Sequence, residues 1–400
     1  MIDEAGETVK ILHVMNYYHE GFGYQENWLA RMQKRLGHDV WAVTSDHYFP
    51  FPDYDRTMRP YLGDRHAGEK RFEDEGVVII RKRSFLAGLR RSGLIVFCIR
   101  DVVREFRPDV VHVHGPTNLC LPQVVRFQKK FQYKIFADCH QDDVVSSDDR
   151  MLIKKIYHGL WRIFYHGFGM KKKVSCFLPI TEGARHWLKS RLRISENETV
   201  LLPLGVDLDG MSYDRPLADE FRQKYGIGDR LVIVNAGKQY PEKRIEWVLD
   251  VFAAALDMGA DVFCVLVGNA DETYDRLLTE KLRPFEGRYL RLPFLPREEL
   301  RQVYSAADVG IWPGIPSNTI QEAMACGVAV ILPDNNVVGH LVDENGLLES
   351  EDITRAAGFL YALSVDPDKR GICQSRSVEI AGTYDWRVIA EDLMRIYSRE

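Results

Sequence analysis

Two lysines, three helix-capping residues and one glutamate form the densest chemistry in the sequence. Lys238 and Lys243 follow an apolar stretch at 231–236, in the segment AGKQYPEKR. Ser317, Asn318 and Thr319 follow the Pro/Gly turn of IWPGIPSNT, and Glu322 comes about one turn later. Any of these three residues can cap a helix, so a helix is expected at 320–326, stopped by Gly327 and followed by a strand at 328–332. A helix N-terminus beside the carboxyl edge of a strand offers N–H groups and a positive dipole end, which suits an anion. With two ammonium groups at the neighbouring strand end, the expected ligand is a diphosphate. Glu322 can accept hydrogen bonds from sugar or ribose hydroxyls, or it can close a capping box with Thr319; the helix alone allows both. In the first half, His114 ends the run HVHGP and His140 stands in DCHQDD. Asp142 and Asp143 could join His140 around a metal, but no spacing compels it, and no metal is expected.

The elements that must hold these residues alternate between strand and helix. In the first half, strands are expected at 10–17, 39–45, 76–80, 109–114, 133–137, 174–180 and 200–204. Helices are expected there at 25–36, 94–106, 119–131, 151–170 and 182–192. The loop after the first strand carries Gly21 and Gly23 but has Glu26 where a dinucleotide fingerprint needs glycine. Gly23 either lets the backbone approach a ligand or serves a tight turn. Residues 47–74 are polar, aromatic and interrupted by prolines, and are long for a connection, so they form a functional loop or are poorly ordered. After a polar connection at 209–229 with one short helix, the alternation restarts. Strands are expected at 231–236, 262–267, 289–292, 309–312 and 328–332. Helices are expected at 245–258, 271–282, 298–305, 320–326, 355–363 and 386–397. The fold class is therefore α/β, with two Rossmann-like, doubly wound domains at 1–208 and 209–385 and a last helix in 386–400. The ligand site is expected in the cleft at their carboxyl strand ends.

Composition narrows the partners. Apolar content of 46% and charged content of 28% are those of an ordinary globular protein, and a net charge of -5 gives no general attraction to nucleic acid. That charge is unevenly spread. Residues 81–107 carry eight Lys/Arg against two acids, and residues 151–191 carry nine against one. An anionic partner is expected for this half: a lipid headgroup, a phosphorylated acceptor or a bilayer surface. Large apolar residues among the cations of 151–170 fit either an interfacial amphipathic helix or a core helix with a basic tail. The seven scattered cysteines suggest neither disulfides nor zinc, and Cys98, Cys176 and Cys264 read as buried thiols. With no apolar leader or spanning run visible, a cytoplasmic protein is expected, with a peripheral contact at the inner face of a membrane as an option.

Five motifs in order resemble the retaining, nucleotide-sugar-dependent glycosyltransferases of family 4, which have the GT-B fold. They are Gly21, Gly23 and Glu26 with LGHDV at 36–40; PLGVD at 203–207; GKQYPEKR at 237–244; EAMACGVAV at 322–330; and the closing Trp386, Ala390 and Tyr397. Nearly the whole chain is covered. The resemblance implies a UDP-, GDP- or ADP-sugar donor held against the second domain, with no cofactor. Lys238 and Lys243 would neutralise the departing diphosphate, helped by backbone N–H groups at 317–319 and Gly23. Glu322 would hold the ribose, His140 the donor sugar, and His114 would lie near the acceptor. Gly268, just beyond the strand at 262–267, is a further expected contact. The last helix would cross back to the first domain.

Two departures from the family pattern stand out. Gly314 occupies the position, eight before Glu322, where the family usually has a second glutamate near the donor sugar. Lys238 replaces an arginine and so loses its bidentate fork. A missing carboxylate suggests a roomier or differently polar subsite, in which Asn318 and Thr319 favour hexosamine or uronic-acid donors. Two other functions remain open on the sequence: a GT-B nucleotide-sugar 2-epimerase using Asp138, Asp142 or Asp143, and a non-catalytic nucleotide-sugar-binding subunit.

Overall fold

The computed structural model describes residues 8–51, 54–85, 95–142, 152–314 and 317–399. Its contacts divide into two units, Met1–Leu204 with Trp386–Glu400, and Gly205–Asp385. The first boundary falls four residues before the expected 208. Val206 bridges to Asp385, and Asp207 is bonded to Arg297, so this segment is tied to the second unit.

The first unit contains β1 (Lys10–Val14), β2 (Asp39–Ser45), β3 (Lys70–Asp74) and β4 (Val77–Lys82). A short pair follows, β5 (Ser84–Phe85) and β6 (Val96–Phe97), and then β7 (Val110–Val113), β8 (Lys134–Cys139) and β9 (Cys176–Pro179). Seven of these make a sheet in the order β3-β4-β2-β1-β7-β8-β9. It is parallel except at β3, which runs antiparallel on β4. β1, β7 and β8 are near-continuous apolar runs because helices cover both faces of such a sheet. From β1 the chain winds one way to β2 and the other way to β7. The loops after β1 and β7 therefore open at the switch point, where ligands of doubly wound sheets bind. Helix Trp386–Ser398 belongs to this unit and buries Trp386, Ile389, Ala390, Leu393, Ile396 and Tyr397 on one stripe.

The second unit is a six-stranded, all-parallel sheet of β10 (Leu231–Ala236), β11 (Val262–Val267), β12 (Tyr289–Leu292), β13 (Val309–Ile311), β14 (Ala329–Pro333) and β15 (Gly346–Glu349). Its order is β12-β11-β10-β13-β14-β15. The winding reverses between β10 and β13. That places the loop bearing Lys238 and Lys243 beside the loop that leads to Ser317.

Several expectations are corrected. Of the stretch expected as a functional or poorly ordered loop at 47–74, the described residues hold helices Tyr54–Thr57 and Arg59–Leu62, a cluster of Tyr48, Tyr54 and Met58, and β3. No strand forms at 200–204, although the Val200 and Leu202 N–H groups donate to Phe177 and Pro179 beside β9. The helix expected at 94–106 is shortened to Arg100–Phe106, and β15 and helix Pro367–Gly382 were not anticipated. Cys98 is exposed and Cys176 half-buried, and only Cys264 of the three is buried. Arg81 is buried as well. Its guanidinium donates to the Ser45 and Tyr18 carbonyls and pairs with Glu20, so it contributes nothing to a basic surface. No helix among the described residues is long and apolar enough to cross a membrane.

Candidate functional site

The residues singled out by the sequence fall into two clusters, one at the switch point of each sheet. In the second unit the ends of β10 and β13 are tied by side chains. Asn235 Nδ2 donates to the Ile311 carbonyl at 2.6 Å, while Trp312 Nε1 and Thr319 Oγ1 both donate to the Ala236 carbonyl, at 3.0 and 2.9 Å. Thr319 also bonds Ser317 Oγ at 2.9 Å. The Thr319 hydroxyl is therefore committed to the β10 end, and the capping box with Glu322 does not form. Helix Thr319–Ala325 is capped at Asn318 without a side-chain hydrogen bond and runs only seven residues. Its dipole is short, and the two lysines supply most of the positive charge. Burial pushes Lys238 down to about 8; burial and then the charge of Lys238 push Lys243 down to about 8. Two ammonium groups whose proton affinity burial lowers are well suited to an anion that restores it.

Glycines set the backbone of this cluster. Gly268 has φ +137°, and a Cβ there would lie 1.8 Å from the Gly237 carbonyl oxygen. Its smallness is what lets the β11 end pass beneath the Lys238 loop. A Cβ on Gly314 would meet the Glu242 carbonyl oxygen at 2.2 Å and Lys243 Cα at 2.7 Å. The absent glutamate therefore leaves no roomier subsite, because the Pro241–Lys243 turn fills that space. Ile315 lies outside the described residues.

Glu322 keeps 16% of its side chain exposed and lies 3.8 Å from Arg297 Nε. Arg297 in turn pairs with Asp207 at 2.5 Å and donates to the Asp207 carbonyl at 3.1 Å. Burial raises the Glu322 carboxyl to about 7, with Arg297 pulling it down and Asp207 pushing it up. Sequence reading missed Arg297, which stands at the start of a helix expected only from 298. The one available signal was the invariably charged Arg amid REELR, which does not distinguish it from a solvated helix start.

The first unit carries a network of imidazoles on one carboxylate. His13 on β1 is paired in register with His112 on β7, and their rings stack at 5.3 Å. His114 extends the stack at 4.7 Å from His112. Val113 is in register with Ala137, so the next residues, His114 and Asp138, come side by side. Asp138 is fully buried: its Oδ1 accepts from Gly115 N at 2.8 Å, and its Oδ2 lies 2.5 Å from His114 Nδ1. The same oxygen is 3.3 Å from His112 Nε2 and 3.7 Å from His140 Nε2. Behind them, His112 Nδ1 bonds the Tyr397 hydroxyl at 2.5 Å, and His13 bonds Gln33 at 2.7 Å. Burial opposes ionisation of Asp138, yet His114 and His140 hold it well below the usual carboxylate range. For His140 burial favours the neutral ring, and Asp138 and Glu26 outweigh it to raise the pKa. His140 is the exposed end of this network, with 40% of its side chain accessible.

Gly23 has a packing reason to be glycine, since a Cβ would sit 3.2 Å from Trp28 Nε1. Among the described residues, two groups bring three donor atoms within 4.8 Å of one another, as a metal would require: His112, His114 and Asp138, and separately Asp46, His47 and His66. In both, those atoms already contact each other. Asp143 lies outside the described residues, and with it the group of His140, Asp142 and Asp143.

Residues 28–209 match Glycosyltransferase Family 4, and residues 230–363 match Glycosyl transferases group 1. The chain is 24% identical over 306 residues to the phosphatidyl-myo-inositol mannosyltransferase of Mycolicibacterium smegmatis, covering 75% of this chain and 73% of that one. It is also 24% identical to the putative glycosyltransferase YtcC of Bacillus subtilis, over 63% of this chain and 69% of the other. Among solved structures, HepE of Anabaena in complex with UDP superposes with a TM-score of 0.71 at 17% identity, over 96% and 98% of the two chains. A glycosyltransferase of Rickettsia africae gives 0.72 at 14% identity, over 98% of each. The two family matches together span most of a chain built from two Rossmann-like units, and the protein belongs to glycosyltransferase family 4, group 1, with the GT-B fold.

Proposed function

We propose that this chain is a retaining glycosyltransferase that moves a hexosyl or N-acetylhexosaminyl group from a UDP-, GDP- or ADP-sugar to a hydroxyl acceptor. The observation that carries this reading is the pair Lys238 and Lys243 at the switch point of the second sheet, both with lowered proton affinity. As the bond from the anomeric carbon to the β-phosphate oxygen breaks, the electron pair stays on that oxygen. The lysines stabilise the charge that develops there. The acceptor oxygen forms the new bond to the anomeric carbon, and its proton passes to the departing diphosphate. Glu322, held between burial and Arg297, accepts hydrogen bonds from the ribose. His140, whose proton affinity Asp138 raises, donates to the sugar. Positive charge from two lysines serves in place of a divalent ion, so no metal takes part. Support for a nucleotide donor comes from the UDP complex of HepE. Support for an anionic, lipid-linked acceptor comes from the basic first half and from relatives named for phosphatidyl-inositol acceptors. Asp138, spent on three histidines, is a poor acid or base for a 2-epimerase.

The test is a thermal-shift screen of UDP-, GDP- and ADP-sugars, followed by turnover of the best donor with and without EDTA. A ligand at 100 times its Kd should stabilise by about 2.7 kcal/mol. Lys243→Ala should lower turnover by roughly a hundredfold. Activity that EDTA abolishes and magnesium restores would overturn this assignment of the diphosphate site, and a donor bound but never turned over would leave a binding subunit.

A further inference from the structure

The segment after residue 151 has two apolar faces, and the fold uses only one. It runs as helix Leu152–Arg162, continues as a wider π-helical turn Ile163–Gly167, and ends in the short helix Met170–Lys173. Its inner face is fastened to the loop that bears His114. Tyr157 donates to the Thr117 carbonyl at 2.8 Å and Tyr165 to the Pro116 carbonyl at 2.5 Å, while Trp161 is 5% exposed between them. On the outer face Ile156, Leu160 and Ile163, spaced four and three residues apart, are 55, 60 and 55% exposed. Phe168 beyond them, at 69%, is the most exposed large apolar side chain among the described residues.

Within the segment itself the charge is of one sign only. No acidic residue occurs from 152 to 181, a stretch that contains six Lys/Arg. Lys155, Lys172 and Lys173 are exposed, and Lys171 pairs with Glu198 from outside the stretch. An exposed apolar stripe rimmed by cations is costly in water and marks a surface that something covers. A second copy of the chain is a poor candidate, because a two-fold contact would set the same cations against one another. An anionic bilayer satisfies both features: its acyl boundary takes the isoleucine, leucine and phenylalanine side chains, and its headgroups take the lysines.

We propose that Ile156, Leu160, Ile163 and Phe168, with Lys155, Lys172 and Lys173, form a docking face for an anionic lipid bilayer. The inference rests on, and deepens, the reading of an anionic, lipid-linked acceptor. Through Tyr157 and Tyr165 this face is rigidly joined to residues 116–117, two positions past His114. Docking therefore holds the His114 loop at a fixed offset from the surface, where an acceptor anchored in the same leaflet can be reached.

Flotation with phosphatidylcholine vesicles, with and without phosphatidylglycerol, tests this independently of turnover. The parent should bind the anionic vesicles and not the zwitterionic ones. Leu160→Ser with Phe168→Ser should weaken binding by more than roughly tenfold at every salt concentration, since buried apolar area is lost. Lys172→Gln with Lys173→Gln should weaken it by roughly tenfold at 0.05 M salt, with the difference from the parent closing near 0.5 M, as screening predicts. All variants should keep the parent's melting temperature and its hydrolysis of donor in solution. Should the first pair fail to fold, Ile156→Ser with Ile163→Ser gives the same test. Binding equal on both vesicle types, no binding by the parent, or variants that bind like the parent would overturn the proposal. So would a dimer, seen by light scattering, that Leu160→Ser with Phe168→Ser dissolves. Loss of donor hydrolysis in the parent would instead strike at the proposed activity and leave the docking result standing.

Discussion

Nucleotide affinity should pass through a maximum between pH 7 and 8. With Lys238 and Lys243 each at about 8 in the free protein, both are mostly charged at pH 7 and mostly neutral by pH 9. A bound diphosphate favours the charged form, so binding above pH 8 takes up protons. Affinity for UDP then falls by about tenfold per pH unit for one such lysine and approaches a hundredfold for two. On the acid side, Glu322 at about 7 accepts from ribose hydroxyls more strongly once ionised, so affinity rises as pH climbs through 7. The nucleotide's own terminal phosphate, with a pKa near about 6, adds to the rise only below that value. Calorimetric titration of UDP from pH 6 to 9.5, in buffers of different ionisation enthalpy, reads both affinity and proton uptake. Lys238→Arg puts a non-titrating cation in the first position and should halve the alkaline slope, while Glu322→Gln should remove the rise through pH 7. The same lysines affect stability with a definite sign. The unfolded chain holds their protons up to about 10.5, so between 8 and 10.5 it binds more protons than the folded state, and stability of the unliganded protein rises with pH. Affinity that is flat from pH 7 to 9.5, with no proton uptake, would refute the reasoning.

Two substitutions probe the frame around the clusters. Gly314→Ala places a Cβ against the Glu242 carbonyl and Lys243, so it should lower the melting temperature and cost more than tenfold in UDP affinity; a variant with parental affinity would show that the Pro241–Lys243 turn can yield. Tyr397→Phe removes the partner of His112 in a fully buried network and should cost about 1–3 kcal/mol in urea unfolding, and no measurable loss would mean that the network tolerates an unpaired ring.

The alternation of strand and helix, the two-unit plan and the candidate lysines, histidines and Glu322 were legible in the sequence, because local periodicity and turn residues report backbone conformation directly. The motifs carried the family, which the comparisons bear out. Local signals faded where an element owes its conformation to its neighbours. β3 is charged and polar and exists as a strand because β4 offers it an edge, whereas apolar 200–204 does not become one. Tertiary structure alone decided how partners were shared out. Thr319 is one turn from Glu322 in sequence, but its hydroxyl goes to Ala236, and Glu322 is left to Arg297, twenty-five residues away. Gly314 looks like an empty place in a motif and is instead filled by the backbone of Glu242 and Lys243, from far earlier in the chain. Asp138 could be read from the sequence only as an available acid, and the register of β7 against β8 made it the shared anchor of three histidines. Exposure followed the same rule: Arg81 and Ile156 each contradict their polarity, one buried by Glu20 and two carbonyls, the other left outside once Trp161 and Tyr165 had filled the core. Residue type sets what a side chain can do, and long-range packing, which no local stretch encodes, sets which atoms it meets.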